Sequence, residues 1–159
     1  MVFFKIAGAL MLAVSGIGGA WWLNQSANAT LSQIECWLAL LRYVRMQVDC
    51  FALPASEILG RCDRALLRGC GYGASEPPRD FGEMLGRCAI RDGESAALLH
   101  SFAEEFGKSY REEQSRGCDY YFSLLDGRRE ALSSRMPTQR RIRSALCISG
   151  ALAMVILLI

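Results

Sequence analysis

The chain has 159 residues and a formal net charge of +2, with 18 Lys and Arg against 16 Asp and Glu. This length suits one domain with anchoring segments, and two uncharged terminal stretches raise the hydrophobic content to 52%. Residues 24–127 alone carry 11 basic and 15 acidic side chains. A nucleic-acid-binding domain would carry a basic patch instead, so we expect no nucleic-acid partner.

The N-terminal uncharged stretch predicts a transmembrane helix within residues 1–23. Ile6–Leu23 contains 18 residues without a charge, close to the ~20 that cross a hydrocarbon core. Trp21 and Trp22 end the stretch, where an interfacial aromatic belt would lie. The alternative is a signal peptide cleaved after Ala27-Asn28-Ala29. Its apolar region would then exceed the usual length of about 7–15 residues, so a retained helix is the preferred interpretation.

The C-terminal stretch predicts a second membrane segment, residues 142–159. Ser144–Ile159 is uncharged over 16 residues, or ~24 Å as a helix, so it spans the membrane fully or inserts partway. A run of arginines precedes it, opposed only by Glu130: Arg128, Arg129, Arg135, Arg140, Arg141 and Arg143. Basic residues favour the cytoplasmic side, which predicts a cytoplasmic middle domain. We expect Arg135, Arg140, Arg141 and Arg143 to contact anionic lipid headgroups.

The middle of the chain, residues 24–141, shows the periodicity of helices. The first amphipathic stripe steps by three and four residues through Leu31, Ile34, Leu38, Leu41, Val44 and Val48. A second helix is predicted to start at Pro54 and to continue through Ile58, Leu59, Leu66 and Leu67. A Gly-rich turn follows it, Gly69-Cys70-Gly71-Tyr72-Gly73.

The second half of the middle predicts three further helices. One starts at Pro77-Pro78, the next has Asp92 as its N-cap, and the last is long and opens at Ser109. Ser109 and Glu112 have the S-x-x-E spacing of a capping box. Pro137 is expected to end the long helix. No strand-like alternation appears, so we predict an all-α protein. It is a bundle of about five helices between an N-terminal and a C-terminal membrane helix.

Catalytic and ligand-binding signals are weak. The chain has one histidine, His100, and seven cysteines without a C-x-x-C pair. Zinc sites need clustered Cys and His, and the Gly69–Gly73 turn lacks the ending of a phosphate-binding loop. We therefore expect no catalytic residues, metal, cofactor or small-molecule substrate, and we expect reduced, buried thiols.

Two motifs carry a resemblance to a known family. They are Phe51-Ala52-Leu53-Pro54-Ala55-Ser56-Glu57-Ile58, at the junction after the first helix, and Phe106-Gly107-Lys108-Ser109-Tyr110-Arg111-Glu112-Glu113-Gln114. With the Gly-rich N-terminal apolar stretch and the apolar end, they make the chain resemble the stage III sporulation protein AB family of endospore-forming bacteria. The chain departs from that family in its many cysteines and in the Gly69–Gly73 turn.

The resemblance implies a non-enzymatic membrane protein of the mother-cell membrane around the forespore. Its helical cytoplasmic domain would be similar to those of the inner-membrane platform proteins of type II secretion and type IV pilus machines. Its partners would be a cytoplasmic secretion-type ATPase, the stage III sporulation protein AA type, and other membrane proteins of one channel-like complex. The platform would couple the ATPase to the membrane parts.

The charged motif allows two roles for its residues. Ser109 and Glu112 are expected to cap the long helix, while Arg111 and Glu113 are candidates for a partner contact. Two other functions stay open from the sequence alone. One is an exported envelope protein with a cleaved signal peptide and a membrane-associated tail, and the other is a membrane-bound enzyme.

Overall fold

A computed structural model describes the backbone of residues 2–51 and 53–158 and the side chains of residues 25–51 and 53–134. This part of the chain is helical and contains no strand, only an isolated antiparallel bridge between Tyr72 and Cys88. The six helices are α1 (Val2–Phe51), α2 (Ala55–Arg61), α3 (Arg64–Gly69), α4 (Phe81–Gly86), α5 (Gly93–Glu105) and α6 (Arg111–Leu158). The predicted all-α class is therefore confirmed.

The chain divides into two compact units. Residues 30–131 form one of them, and residues 1–29 together with 132–159 form the other. Within the described residues, no helix is both long enough and apolar enough to cross a membrane. The two terminal membrane segments that the sequence predicts, Ile6–Leu23 and Ser144–Ile159, lie outside the residues whose side chains are described.

Three helix boundaries differ from the prediction, and each has a local cause. The predicted second helix is two helices, because the Asp63 side chain accepts a hydrogen bond from the Ala65 amide (2.9 Å) and starts α3 anew. Helix α4 begins at Phe81 rather than at the prolines, since Asp80 caps it through the Glu83 amide (2.7 Å). The predicted break at Pro137 is wrong, because α6 continues through it to Leu158.

Proline in a helix interior removes one backbone hydrogen bond and crowds the preceding turn. It ends a helix only when the turns that follow cannot be held by their own backbone hydrogen bonds. Helix α6 has 48 residues, and such a long helix can lose one bond without ending.

The core of the 30–131 unit is built on α1. The described part of the predicted stripe is buried from Ile34 onwards, and Leu31 is half-buried. Two further large residues are buried beside it, Trp37 and Leu40. This buried face is wider than an amphipathic helix on a single neighbour would need. Helix α1 is therefore the central element of the unit.

An aromatic cluster joins α4, α5 and α6. The ring of Phe81 contacts those of Phe102 and Phe106 at centroid distances of 5.1 and 4.9 Å, and Phe102 contacts Tyr121 at 5.6 Å. The Phe81 pairs and the Phe102–Tyr121 pair are edge-to-face, a geometry that adds to the apolar area they bury. Short α4 has only six residues and would not be stable alone, so this cluster fixes its position.

The carboxamide of Gln33 holds two connecting segments against α1. Its Nε2 donates to the carbonyl oxygens of Cys70 (3.0 Å) and Ala89 (2.8 Å), and its Oε1 accepts from the Arg91 amide (3.0 Å). The residue is only 7% exposed. Gly71 lies between these contacts with φ +100°, and a Cβ there would come within 2.6 Å of Gln33 Nε2. This close approach requires glycine.

Asp92 joins α5 to α6 while it caps α5. Its carboxylate accepts from the amide and the hydroxyl of Ser95 and from Arg128, whose Nε and Nη2 lie 3.1 and 2.9 Å away. Arg128 also contacts Glu94 at 2.7 Å. The predicted N-cap is confirmed. The hydrogen bond from Arg128 is the largest contribution that lowers the pKa of Asp92, to about 2.

We predict that Gln33→Leu lowers the free energy of unfolding by about 2–4 kcal/mol. The substitution keeps the side chain nearly the same size but leaves the buried Cys70 carbonyl, and the partly buried Ala89 carbonyl and Arg91 amide, without their partner. Gln47→Leu is the matched control, because Gln47 is also buried in α1 but makes no hydrogen bond within the described residues. Urea denaturation of the full chain measures both. Equal losses in the two variants would contradict the role of Gln33.

We also predict that the 30–131 unit loses stability as the pH falls from about 4 to about 2. The folded-state pKa of Asp92 is about 2, against an ordinary value of 3.8. A lowered carboxylate pKa stabilises the fold above the unfolded-state pKa, and that stabilisation disappears as pH falls through the folded-state pKa. Asp92→Asn should remove this part of the pH dependence. Asp126→Asn, in the exposed pair with Arg129, should leave it in place, and a wild-type profile in Asp92→Asn would refute the assignment.

Candidate partner-binding surface

The last turns of α1 and the first turns of α6 form an open surface that we call the terminal face. It consists of Arg45, Asp49, Tyr110, Arg111, Glu112, Glu113, Ser115, Arg116 and Asp119. Three arginines stand against four carboxylates, so the surface is rich in charge but nearly balanced. It includes three of the four residues that the sequence suggested for capping or partner contact, Arg111, Glu112 and Glu113, but not Ser109.

Arg111 links the two helices at this surface. Its Nη2 donates to the backbone carbonyl of Asp49, in the last turn of α1. The last four carbonyls of a helix lack partners within it, and a cation is favourable at this end of the helix dipole. The predicted partner residue Arg111 thus has a structural contact of its own, which the sequence did not reveal because 62 residues separate the two groups.

Two more contacts fasten α1 to α6 beside it. Arg45 lies 2.8 Å from Asp119 and 3.6 Å from Asp49, with side chains that are about half exposed. Such exposed ion pairs stabilise a fold by only about 0–1 kcal/mol each. The guanidinium of Arg42 lies over the ring of Phe122, 4.8 Å from its centroid. Together these contacts fix the relative position of α1 and α6, and they involve only some of the charged side chains of the terminal face.

Three charges of the terminal face remain available for another molecule. Glu112, Glu113 and Arg116 are exposed, and within the described residues none of them lies within 4.0 Å of an opposite charge or makes a hydrogen bond. Glu112 and Glu113 lie in the first turn of α6, where negative charge is favourable. They can therefore keep their charge and contact a partner without destabilising the helix.

Large apolar groups are exposed next to these charges. Tyr110 is 88% exposed and Phe51, the last residue of α1, is 64% exposed. Aromatic side chains are enriched in protein interfaces, because they bury much area at low cost in conformational entropy. Exposed rings and charges without an opposite charge within 4.0 Å among the described residues thus occur together at this end of the helix pair.

The start of α6 differs in detail from a capping box. The helix begins at Arg111, one residue later than a Ser109 cap would start it. The hydrogen bond at this end runs from Gln114 Nε2 to the backbone carbonyl of Ser109 (2.8 Å), and the Gln114 amide donates to the Tyr110 carbonyl. Among the described residues, neither the Ser109 hydroxyl nor the Glu112 carboxylate makes a hydrogen bond. The side chain that bonds to the backbone at the start of α6 is therefore that of Gln114.

Two arginines of the basic flank have structural partners. Arg128 pairs with Asp92 and Glu94, and Arg129 lies 3.0 Å from Asp126. The interpretation that Glu130 alone opposes the flank is therefore wrong, because the opposing carboxylates of Arg128 come from α5 and its cap. The other predicted lipid contacts lie outside the residues whose side chains are described: Arg135, Arg140, Arg141 and Arg143.

The described cysteines are six free thiols, of which only Cys50 is exposed. Burial raises the pKa of Cys88 to about 11 and that of Cys118 to about 12, and it raises the pKa of Cys70 as well. These thiols are protonated near neutral pH and therefore poor nucleophiles. Within the described residues, no group of three His, Cys, Asp or Glu side chains is placed to hold a metal ion. His100 is exposed on α5.

Comparison with known proteins gives one match. Residues 79–159, just over half of the chain, match the family model described as stage III sporulation protein AB. The matched range includes the charged motif at 106–114 and the helices α4, α5 and α6, whereas the Phe51–Ile58 junction lies before it. No curated protein and no solved structure matches the chain.

Proposed function

Because the chain belongs to the stage III sporulation protein AB family, which implies a role in stage III sporulation, we propose that it is a non-enzymatic platform of a membrane-bound, secretion-like complex. In this proposal the 30–131 unit couples a cytoplasmic secretion-type ATPase, of the stage III sporulation protein AA type, to the other membrane proteins of that complex. The complex lies in the mother-cell membrane around the forespore and serves forespore development.

The terminal face is the observation that supports a docking role. Its exposed Glu112, Glu113 and Arg116 have no opposite charge within 4.0 Å among the described residues, whereas α1 and α6 are already joined by Arg45 and Arg111. A rigid helix pair with unused charges at its end can transmit a force or a rotation from a bound motor. We propose this face as the ATPase contact.

The membrane attachment rests on the terminal sequences. The uncharged stretches Ile6–Leu23 and Ser144–Ile159 support two anchors, and Arg135, Arg140, Arg141 and Arg143 support contact with anionic lipid on the cytoplasmic side. Both anchors belong to helices that also contribute to the 30–131 unit.

Reversal of the unused charges should weaken ATPase binding without unfolding the protein. We predict that Glu113→Arg with Arg116→Glu lowers ATPase co-purification at least tenfold and lowers spore yield, because docked charges of the wrong sign repel. The midpoint of thermal unfolding should fall by only a few degrees, because within the described residues neither group loses an ion pair and the cost is that of a positive charge in the first turn of α6.

The matched control reverses an exposed ion pair on α2, Glu57→Arg with Arg61→Glu, which also leaves the net charge unchanged. Co-purification should stay at the wild-type level in this control. Arg111→Ala is informative as a third variant, because loss of the Asp49 carbonyl contact should lower stability as well as binding. Full ATPase binding by the Glu113/Arg116 variant would exclude the terminal face as the contact.

Exposed Cys50 reports the side of the membrane on which the domain lies. We predict that a membrane-impermeant maleimide labels Cys50 in permeabilised but not in intact cells, and that intact mass shows residues 1–29 still present. Cys50→Ser should remove most of the labelling, because the other described thiols are buried or half-buried. Labelling in intact cells of a chain shortened after Ala29 would instead support the exported envelope protein.

A further inference from the structure

A small cavity lies between α2, α3 and the segment that follows α3. Its volume is about 110 Å³, and the buried side chains of Leu59, Leu67 and Tyr72 form an apolar floor. One water needs about 10–15 Å³ of such volume, so the cavity suits a ligand of roughly nine non-hydrogen atoms. It is separate from the terminal face and lies before the family-matched residues 79–159.

The rim of the cavity carries two positive charges and one negative charge. Arg64 and Arg68 are one turn apart on α3, and Glu76 comes from the segment after it. The hydroxyl of Tyr72 donates to the backbone carbonyl of Glu76 (2.9 Å), which fixes the segment that carries the carboxylate. The backbone that carries the three charged groups is therefore fixed around one apolar floor, while the charged side chains themselves are exposed.

These charges are unpaired although partners are close in sequence. Within the described residues, neither arginine lies within 4.0 Å of a carboxylate, and Glu76 makes no ion pair. Neighbouring charges do pair, since Arg61 contacts Glu57 at 3.3 Å and Arg87 contacts Glu83 at 3.0 Å. The arginines and Glu76 thus line the same cavity but are too far apart for a direct contact.

We propose that this cavity binds a free α-amino acid with an aliphatic side chain, such as leucine. The carboxylate of such a zwitterion would accept hydrogen bonds from Arg64 and Arg68, and its ammonium group would contact Glu76. Its side chain would cover the floor of Leu59, Leu67 and Tyr72. A zwitterion spans a gap between opposite charges that a direct ion pair cannot close. The rim is exposed, so binding is in the millimolar range.

Three ligands of similar size separate the contributions of the charges. Saturation-transfer NMR with the full chain would compare leucine with leucinamide, which lacks the carboxylate, and with 4-methylpentanoate, which lacks the ammonium group. Leucine should bind at least about fivefold more tightly than either analogue, a modest ratio for solvent-exposed contacts. Equal binding of all three, or no saturable binding of leucine up to about 50 mM, would overturn the proposal.

Variants of the rim assign each contact. Arg64→Gln and Arg68→Gln should weaken leucine binding at least about fivefold and leave leucinamide binding unchanged, while Glu76→Gln should weaken leucine and leave 4-methylpentanoate unchanged. Arg61→Gln is the control, because that arginine pairs with Glu57 instead. Wild-type leucine binding by both rim arginine variants would contradict the proposed site.

Discussion

The carboxamide of Gln33 is the contact on which the arrangement of the short helices depends. Helices α2, α3 and α4 have six or seven residues each, too few for stability on their own. The segments around Gly71 and Ala89 satisfy part of their backbone by turns and by a bond from the Ala89 amide to the Gly71 carbonyl, and the carbonyls of Cys70 and Ala89 still need partners. Gln33 supplies three hydrogen bonds from α1. The short helices are therefore positioned by one side chain of the central helix and by their apolar contacts.

Features that depend on residues close together in sequence could be predicted, whereas long-range polar contacts of this kind could not. The amphipathic face of α1 and the Asp92 cap follow from residues within a few positions of each other, and both were correctly predicted. Gln33 lies next to Ile34 in a buried face, and its partners are 37 to 58 residues away. A polar residue beside apolar ones only weakly indicates that it bonds distant backbone groups. Polar residues are also common at the border between the apolar and polar faces of a helix.

The terminal face was predicted only in part, because it also depends on contacts between residues far apart in sequence. The motif at 106–114 indicated that Arg111 and Glu113 lie near a helix start, and the structure places both on one surface with Asp49 and Asp119. Local spacing favoured a Ser109 cap, but capping competes with other ways to satisfy the first turn, and here the side chain of Gln114 bonds to the Ser109 carbonyl. The contact of Arg111 with α1 depends on the antiparallel pairing of two helices, which no local motif encodes.

The charges of the 30–131 unit fall into two groups with different consequences. Arg128 with Asp92 is largely buried and bidentate, so removal of the arginine would leave the Asp92 carboxylate with only its hydrogen bonds from Ser95 at a largely buried site. Glu112, Glu113 and Arg116 are exposed and make no ion pair among the described residues, so their removal costs the fold little beyond the helix-dipole contribution of the two carboxylates in the first turn of α6. A fold that fixes its helices with the first group leaves the second free to set partner specificity.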